Sequence, residues 1–160
     1  MAEALNTTNA NDILISNKGV LKINGIELAE LSELEIKMNA ETKTIGILNS
    51  PTRGEIVTAY TGDIKMKIHK VYSRFKPELL KCAQGLQPYN FNLEATIYTP
   101  KRDQQESIYI DNCWFKGDIN LMTLKADADF VDEEYTMGFQ VETAEFTDII
   151  DDGGINWESL

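Results

Sequence analysis

Between Gly54 and Gly85 the chain reads GEIVTAYTGDIKMKIHKVYSRFKPELLKCAQG, and its apolar period changes halfway. In the first half Tyr60, Ile64, Met66 and Ile68 alternate with Thr61, Asp63, Lys65, Lys67 and His69. Period-two alternation over that length predicts one long strand, Gly54–Tyr72, with a buried face and a wet face. At about 3.3 Å per residue it could reach roughly 40–50 Å, longer than most globular strands. In the second half Phe75, Leu79, Leu80 and Ala83 form a helical stripe. Pro77 suits the first helical turn and Gly85 the C′ position, where a left-handed residue ends a helix.

The rest of the chain reads mostly as strands that must pack around this hub. Asn24-Gly25 is the preferred pair for a type I′ hairpin turn. It sets Ile23 opposite Ile26, Lys22 opposite Glu27 and Leu21 opposite Leu28, so like meets like and opposite charges meet. Leu31–Glu41 alternates again: Leu34, Ile36, Met38 and Ala40 against Glu33, Glu35, Lys37, Asn39 and Glu41. Thr44–Leu48 reads as a short return strand and Asn49–Gly54 as a Pro/Gly/Ser loop. Residues 42–54 are therefore expected to form a protruding loop. Further strands are predicted around Phe91–Ile97, over Ser107–Phe115, over Asp118–Ala126 and over Glu134–Phe146, the last with Tyr135, Met137, Phe139 and Val141 inward. Lys101–Glu106 is expected to be a charged hairpin loop. The fold class is mainly β, an antiparallel β-sandwich or barrel with one flanking α-helix, and residues 1–160 form one domain. Residues 1–12 are expected to be a flexible N-terminal arm and 148–160 an acidic C-terminal tail.

Charge narrows the partners. Of 26 acidic and 15 basic side chains, eleven acidic ones and no Lys or Arg follow Lys125, so the net −11 resides in the last 35 residues. Such a surface disfavours nucleic-acid binding through phosphate contacts. No run of 18 apolar residues exists, so no membrane anchor is expected, and no basic-then-apolar signal begins the sequence. Cys82 and Cys113 are too few for a disulfide framework and read as buried small hydrophobes.

The catalytic inventory is nearly empty. His69 is the only histidine, and it sits in a strand between lysines with no nucleophile motif. Glu33 and Glu35 share a face but lack a desolvating cleft, so a solvated strand face is favoured. The Asp127–Glu134 cluster has Asp132 and Gly138 where a calcium loop needs its glycine and its glutamate. No catalytic, cofactor-binding or metal-ligating residue is assigned, and a binding or structural role is expected.

Three segments in order, GVLKINGIELAEL (Gly19–Leu31), GDIKMKIHKVYSRF (Gly62–Phe75) and DEEYTMGFQV (Asp132–Val141), resemble the tail tube proteins of contractile phage tails, defective prophages and phage-tail-like bacteriocins of Gram-positive bacteria. The resemblance implies a tail-tube/Hcp-like fold. It implies a structural subunit that assembles into stacked hexameric rings, forming the inner tube of a contractile tail and a conduit for DNA or ions. Its partners would be copies of itself, the tail sheath protein, and tape measure and baseplate or terminator proteins. DNA, in a phage, would pass through without specific binding. The place implied is a virion tail or tail-like particle assembled in the bacterial host cytoplasm. Implied lumen-lining residues are Glu33, Glu35, Lys37, Asn39, Glu41, Asp63, Lys65, Lys67 and His69, and an implied inter-subunit loop carries Lys43, Asn49, Pro51 and Arg53. Long amphipathic strands fit this independently, because ring closure removes exposed edges.

Two other readings stand beside it. One is a β-barrel binding a small apolar ligand, which needs a dry chamber. The other is a small hydrolase using His69 with Asp63 or Asp111.

Overall fold

The computed structural model describes residues 19–98, 104–127 and 131–150. The expected N-terminal arm, most of the acidic tail, and parts of the Lys101–Glu106 loop and the Asp127–Glu134 turn lie outside these. The elements in order are β1 (Gly19–Ile23), β2 (Ile26–Glu27), β3 (Leu31–Gly46), β4 (Arg53–His69), α1 (Lys76–Gln84), β5 (Asn90–Tyr98), β6 (Gln105–Lys116), β7 (Asp132–Phe139) and β8 (Ala144–Asp148). They build one antiparallel sheet in the order β2-β1-β5-β6-β7-β4-β3, with β8 on β6. The sheet does not close, and β1, β4, β5, β6 and β7 all send side chains into one core. Leu21, Ile64, Met66, Leu93, Ile110, Tyr135 and Met137 are fully buried there. Among the described residues this is the mainly β architecture with one α-helix that the sequence pattern predicts.

Local chemistry sets the turns. Asn24 (φ 52°) and Gly25 (φ 80°) take the left-handed conformations a type I′ turn requires. The expected register follows: Lys22 opposes Glu27 and Ile23 opposes Ile26. Two aspects of β6 let the sheet bend. Asp111 and Asn112 stand against the single residue Asn92 of β5, and Asn112 is left-handed at φ 53°. This bulge divides β6 into a half that pairs β8 and a half, Trp114–Lys116, that pairs β7.

Four expectations change. Asp118–Ala126 is not a strand, because its apolar residues Leu121, Met122 and Leu124 are exposed and no ladder reaches them. The Glu134–Phe146 strand is two, β7 and β8, divided by a 3-10 turn at Val141–Thr143. The hub strand begins at Arg53 and ends at His69, short of Tyr72. At the end of α1, Gly85 is the cap with φ −86° and Leu86 holds the left-handed C′ place at φ 53°. Gln87 N–H donates to Cys82 O at 2.9 Å and Leu86 N–H to Ala83 O at 3.1 Å, a Schellman ending shifted by one residue.

Two ion pairs tie α1 and the segment before it to the sheet. Arg74 donates to Glu30 through Nε (2.8 Å) and through a terminal nitrogen (2.9 Å). That fork holds the Glu30 carboxyl below its ordinary value. Lys76, buried at the first turn of α1, pairs with the buried Glu133, and Tyr135 Oη donates to the same carboxylate oxygen at 3.0 Å. Burial pulls Lys76 down and pushes the Tyr135 phenol up.

Candidate functional site

The long hairpin β3–β4 carries the residues singled out from the sequence. Its body half lies on the core: Leu34, Ile36, Met66 and Ile64 face inward in register. The opposite face is polar and paired across strands. Glu33 opposes Lys67, which opposes Glu134 of β7; Glu35 opposes Lys65; Lys37 opposes Asp63; Asn39 opposes Thr61; Glu41 opposes Ala59; His69 opposes Asp132. Lys37 Nζ lies 2.9 Å from Glu35 Oε1, which raises the lysine pKa by hydrogen bonding. His69 Nδ1 lies 2.6 Å from Asp132 Oδ1, and Lys116 of β6 pairs with Asp63. The structure therefore brings all nine candidate residues onto one face, where nearly every cation meets a carboxylate.

Sequence reasoning missed Asp132, Glu134 and Lys116 on that face. Tyr135, Met137 and Phe139 point inward, so alternation already placed Glu134 and Thr136 outward, but the acidic cluster obscured it. Two glycines make room for aromatic neighbours, Gly62 on the core side of β4 and Gly138 on the polar face of β7. A Cβ on Gly62 would sit 2.5 Å from the Phe139 ring, and one on Gly138 would sit 2.7 Å from the Trp114 indole.

Beyond Asn39 and Thr61 the hairpin leaves the body as a two-stranded ribbon. The expected protruding loop at 42–54 is instead paired strand for most of its length: Lys43 opposes Ile56 and Arg53 opposes Gly46, with only Ile47–Thr52 as the turn. Thr44–Gly46 is the continuation of β3, not a return strand, and Ile47 and Leu48 begin the turn. Asn49, left-handed at φ 63°, and Pro51 form the tip. A bulge at Thr58, whose hydroxyl donates to Glu41 O at 3.2 Å, shifts the faces of β4. The ribbon exposes apolar side chains on both faces, Met38, Tyr60 and Val57 on one and Ile45 and Ile56 on the other, set among polar ones that include Lys43, Thr44, Glu55 and Arg53. The outer edge of β3 has no strand partner among the described residues.

These positions bear on the other readings. His69 stands beside Asp132, not Asp63 or Asp111, since Asp63 is six residues away on the same strand; that corrects the hydrolase geometry. Among the described residues no three His, Cys, Asp or Glu side chains gather to hold a metal ion. The interior is filled by side chains under an open sheet, so the described residues enclose no chamber for an apolar ligand.

Comparison places this geometry. The chain resembles in fold the tube-terminating cap of the anti-feeding prophage (TM-score 0.70, 8% identity, covering 93% of this chain and 100% of that one). It resembles a chain of the PVC sheath-tube complex, an extracellular contractile injection system in the extended state (TM-score 0.63, 6% identity, 89% and 100%). It also resembles a chain of the native gene transfer agent virion (TM-score 0.53, 15% identity, 88% and 99%). No curated protein matches the chain in sequence. The family model described as "Phage tail tube protein" matches residues 6–148, nearly the whole chain. By that match the chain belongs to the phage tail tube protein family and is a structural tail tube subunit, with the fold found in the tubes of contractile injection systems.

Proposed function

We propose that copies of this chain close side by side into hexameric rings that stack as the inner tube of a contractile tail, with the β3–β4–β7 polar face lining the bore. The observation that carries this is the β3–β4 ribbon: with exposed apolar side chains on both faces, and with β3 lacking an outer strand partner among the described residues, it is unfinished in a single copy. Ring closure supplies the missing strand partners, and a head-to-tail repeat of rings generates an open tube. The bore face suits passage without capture. Its lysines oppose or bond carboxylates, so a polyanion finds no continuous basic track. The reading is of a scaffold, not an enzyme.

Structural neighbours include a sheath-tube complex, a sheath/tube terminator and a baseplate. They support sheath, terminator and baseplate proteins as partners here, with a tape measure protein in the bore, and a virion tail or tail-like particle, assembled in the host cytoplasm, as the place. The purified chain at high concentration, viewed by negative-stain microscopy and followed by sedimentation, is expected to form hollow rings and tubes. Compact monomers under every salt and concentration overturn the reading.

A further inference from the structure

The core is closed on one side of the sheet and open on the other. One row of cross-strand partners runs from Leu21 of β1 through Ala95 of β5 and Ile108 of β6 to Phe146 of β8. Partners in a ladder share a face, so all four side chains lie on the core side. Leu21 and Ala95 are buried and Ile108 is half-buried, but Phe146 is 60% exposed. Ile149, just past β8, is 67% exposed. A core row that ends in solvent leaves apolar surface that one more segment would remove from water.

The chain before β1, which lies outside the described residues, has the matching chemistry. It reads Ile13-Leu14-Ile15-Ser16-Asn17-Lys18, and Ile13–Ile15 is the only run of three apolar residues in the first 18. The family match begins at residue 6, so this stretch belongs to the tube domain. The place where it joins the sheet decides what it can reach. Val20 opposes Thr96, Thr96 opposes Ser107 and Ser107 opposes Asp148, so β1 begins at the end of the sheet where β8 leaves it. From β1 across β5 and β6 to β8 is three strand spacings, about 14 Å. The four to six residues from Gly19 back to Ile15 and Ile13 span roughly 13–20 Å when extended. The apolar triplet therefore comes level with β8. Lys18, the only charged residue on the way, starts from an end of the sheet that carries Glu106 and Asp148.

We infer that Ile13–Ile15 of the same chain crosses the end of the sheet and packs on Ile108, Phe146 and Ile149, closing the core on the β8 side. This strap belongs to the single copy and needs no assembly to form. It leaves only residues 1–12 as the N-terminal arm.

The test is disulfide trapping in the dilute, unassembled full chain. Ile15→Cys and Ile13→Cys are each combined with Phe146→Cys in a Cys82→Ser background; Cys113 is fully buried, its thiol pushed up to about 12 by burial, and stays inert. Under mild oxidation at least one pair is expected to close within the chain, read as a faster band on non-reducing gels with loss of both thiols. A control pairing Thr7→Cys with Phe146→Cys is expected to close at least about tenfold more slowly, having a lower effective concentration. Free thiols in both pairs, or a control that closes as fast, overturn the strap. Disulfide-linked dimers overturn it too and assign the patch to another copy. A stability cycle gives a second reading. The triple variant Ile13→Ser, Leu14→Ser, Ile15→Ser and the single variant Phe146→Ser should each lower the denaturation midpoint. Combined, they should lower it by less than the sum. Additive losses, or no loss from the triple variant, overturn the inference. Neither readout depends on tubes, so the tube reading stands or falls separately.

Discussion

The ring of Phe139 lies across the backbone of Gly62, so close that a Cβ there would stand 2.5 Å from it. The two residues are direct cross-strand partners in β4 and β7, where the core half of the hairpin gives way to the free ribbon. Phe139 is buried and has little room to move. Gly62→Ala is therefore expected to destabilise the monomer by about 1–3 kcal/mol through overpacking. Adding Phe139→Leu should return part of that loss. Denaturant melts of the single and double variants read both effects.

Leu86 makes the opposite case. It holds a left-handed conformation at φ 53° and its side chain is 94% exposed, so it pays backbone strain without packing. Leu86→Gly should raise monomer stability by about 0.5–1 kcal/mol, measured by the shift in denaturation midpoint at unchanged slope. No gain would show that the side chain makes up for the strain.

The Glu30–Arg74 fork predicts a pH signature. Arg74 lowers the Glu30 carboxyl from its ordinary 4.5, so the folded state prefers the charged form. The stability this adds is complete above 4.5 and disappears as pH falls through the lowered value. Arg74→Met should therefore be less stable than wild type at neutral pH, and the gap should narrow on acidification. A gap of constant size from pH 7 down to pH 2 would rule the ion pair out as its cause.

On the polar face, Lys67 lies between Glu33 and Glu134. Lys67→Glu would line up three carboxylates and is expected to cost about 1 kcal/mol, with added salt restoring part of it. A loss insensitive to salt would point to packing instead.

Much of this was legible because alternation is a direct record of burial. The two faces of β3 and β4, the Asn24-Gly25 turn and the inward Tyr135, Met137 and Phe139 all follow from period two. What was not legible has identifiable causes. Beyond Glu41 the ribbon is exposed on both faces, so β3 lost the alternation that marks a half-buried strand and its continuation to Gly46 read as a protruding loop with a short return strand. Leu121, Met122 and Leu124 look like a strand in sequence but find no ladder in one copy. The bulges at Thr58 and at Asp111–Asn112 are tertiary choices with no periodic trace. Leu86 took the left-handed place expected of Gly85 because α1 runs one residue further.

The central claim is that the β3–β4 ribbon is completed by other copies while its polar face turns to a bore. A cryo-electron microscopy reconstruction of assembled tubes tests it most directly. The account predicts the outer edge of β3 hydrogen-bonded to a neighbouring copy, with Glu35 and Lys65 facing the lumen. Tubes in which that edge stays unpaired, or in which Glu35 and Lys65 lie on the outer surface, would contradict it.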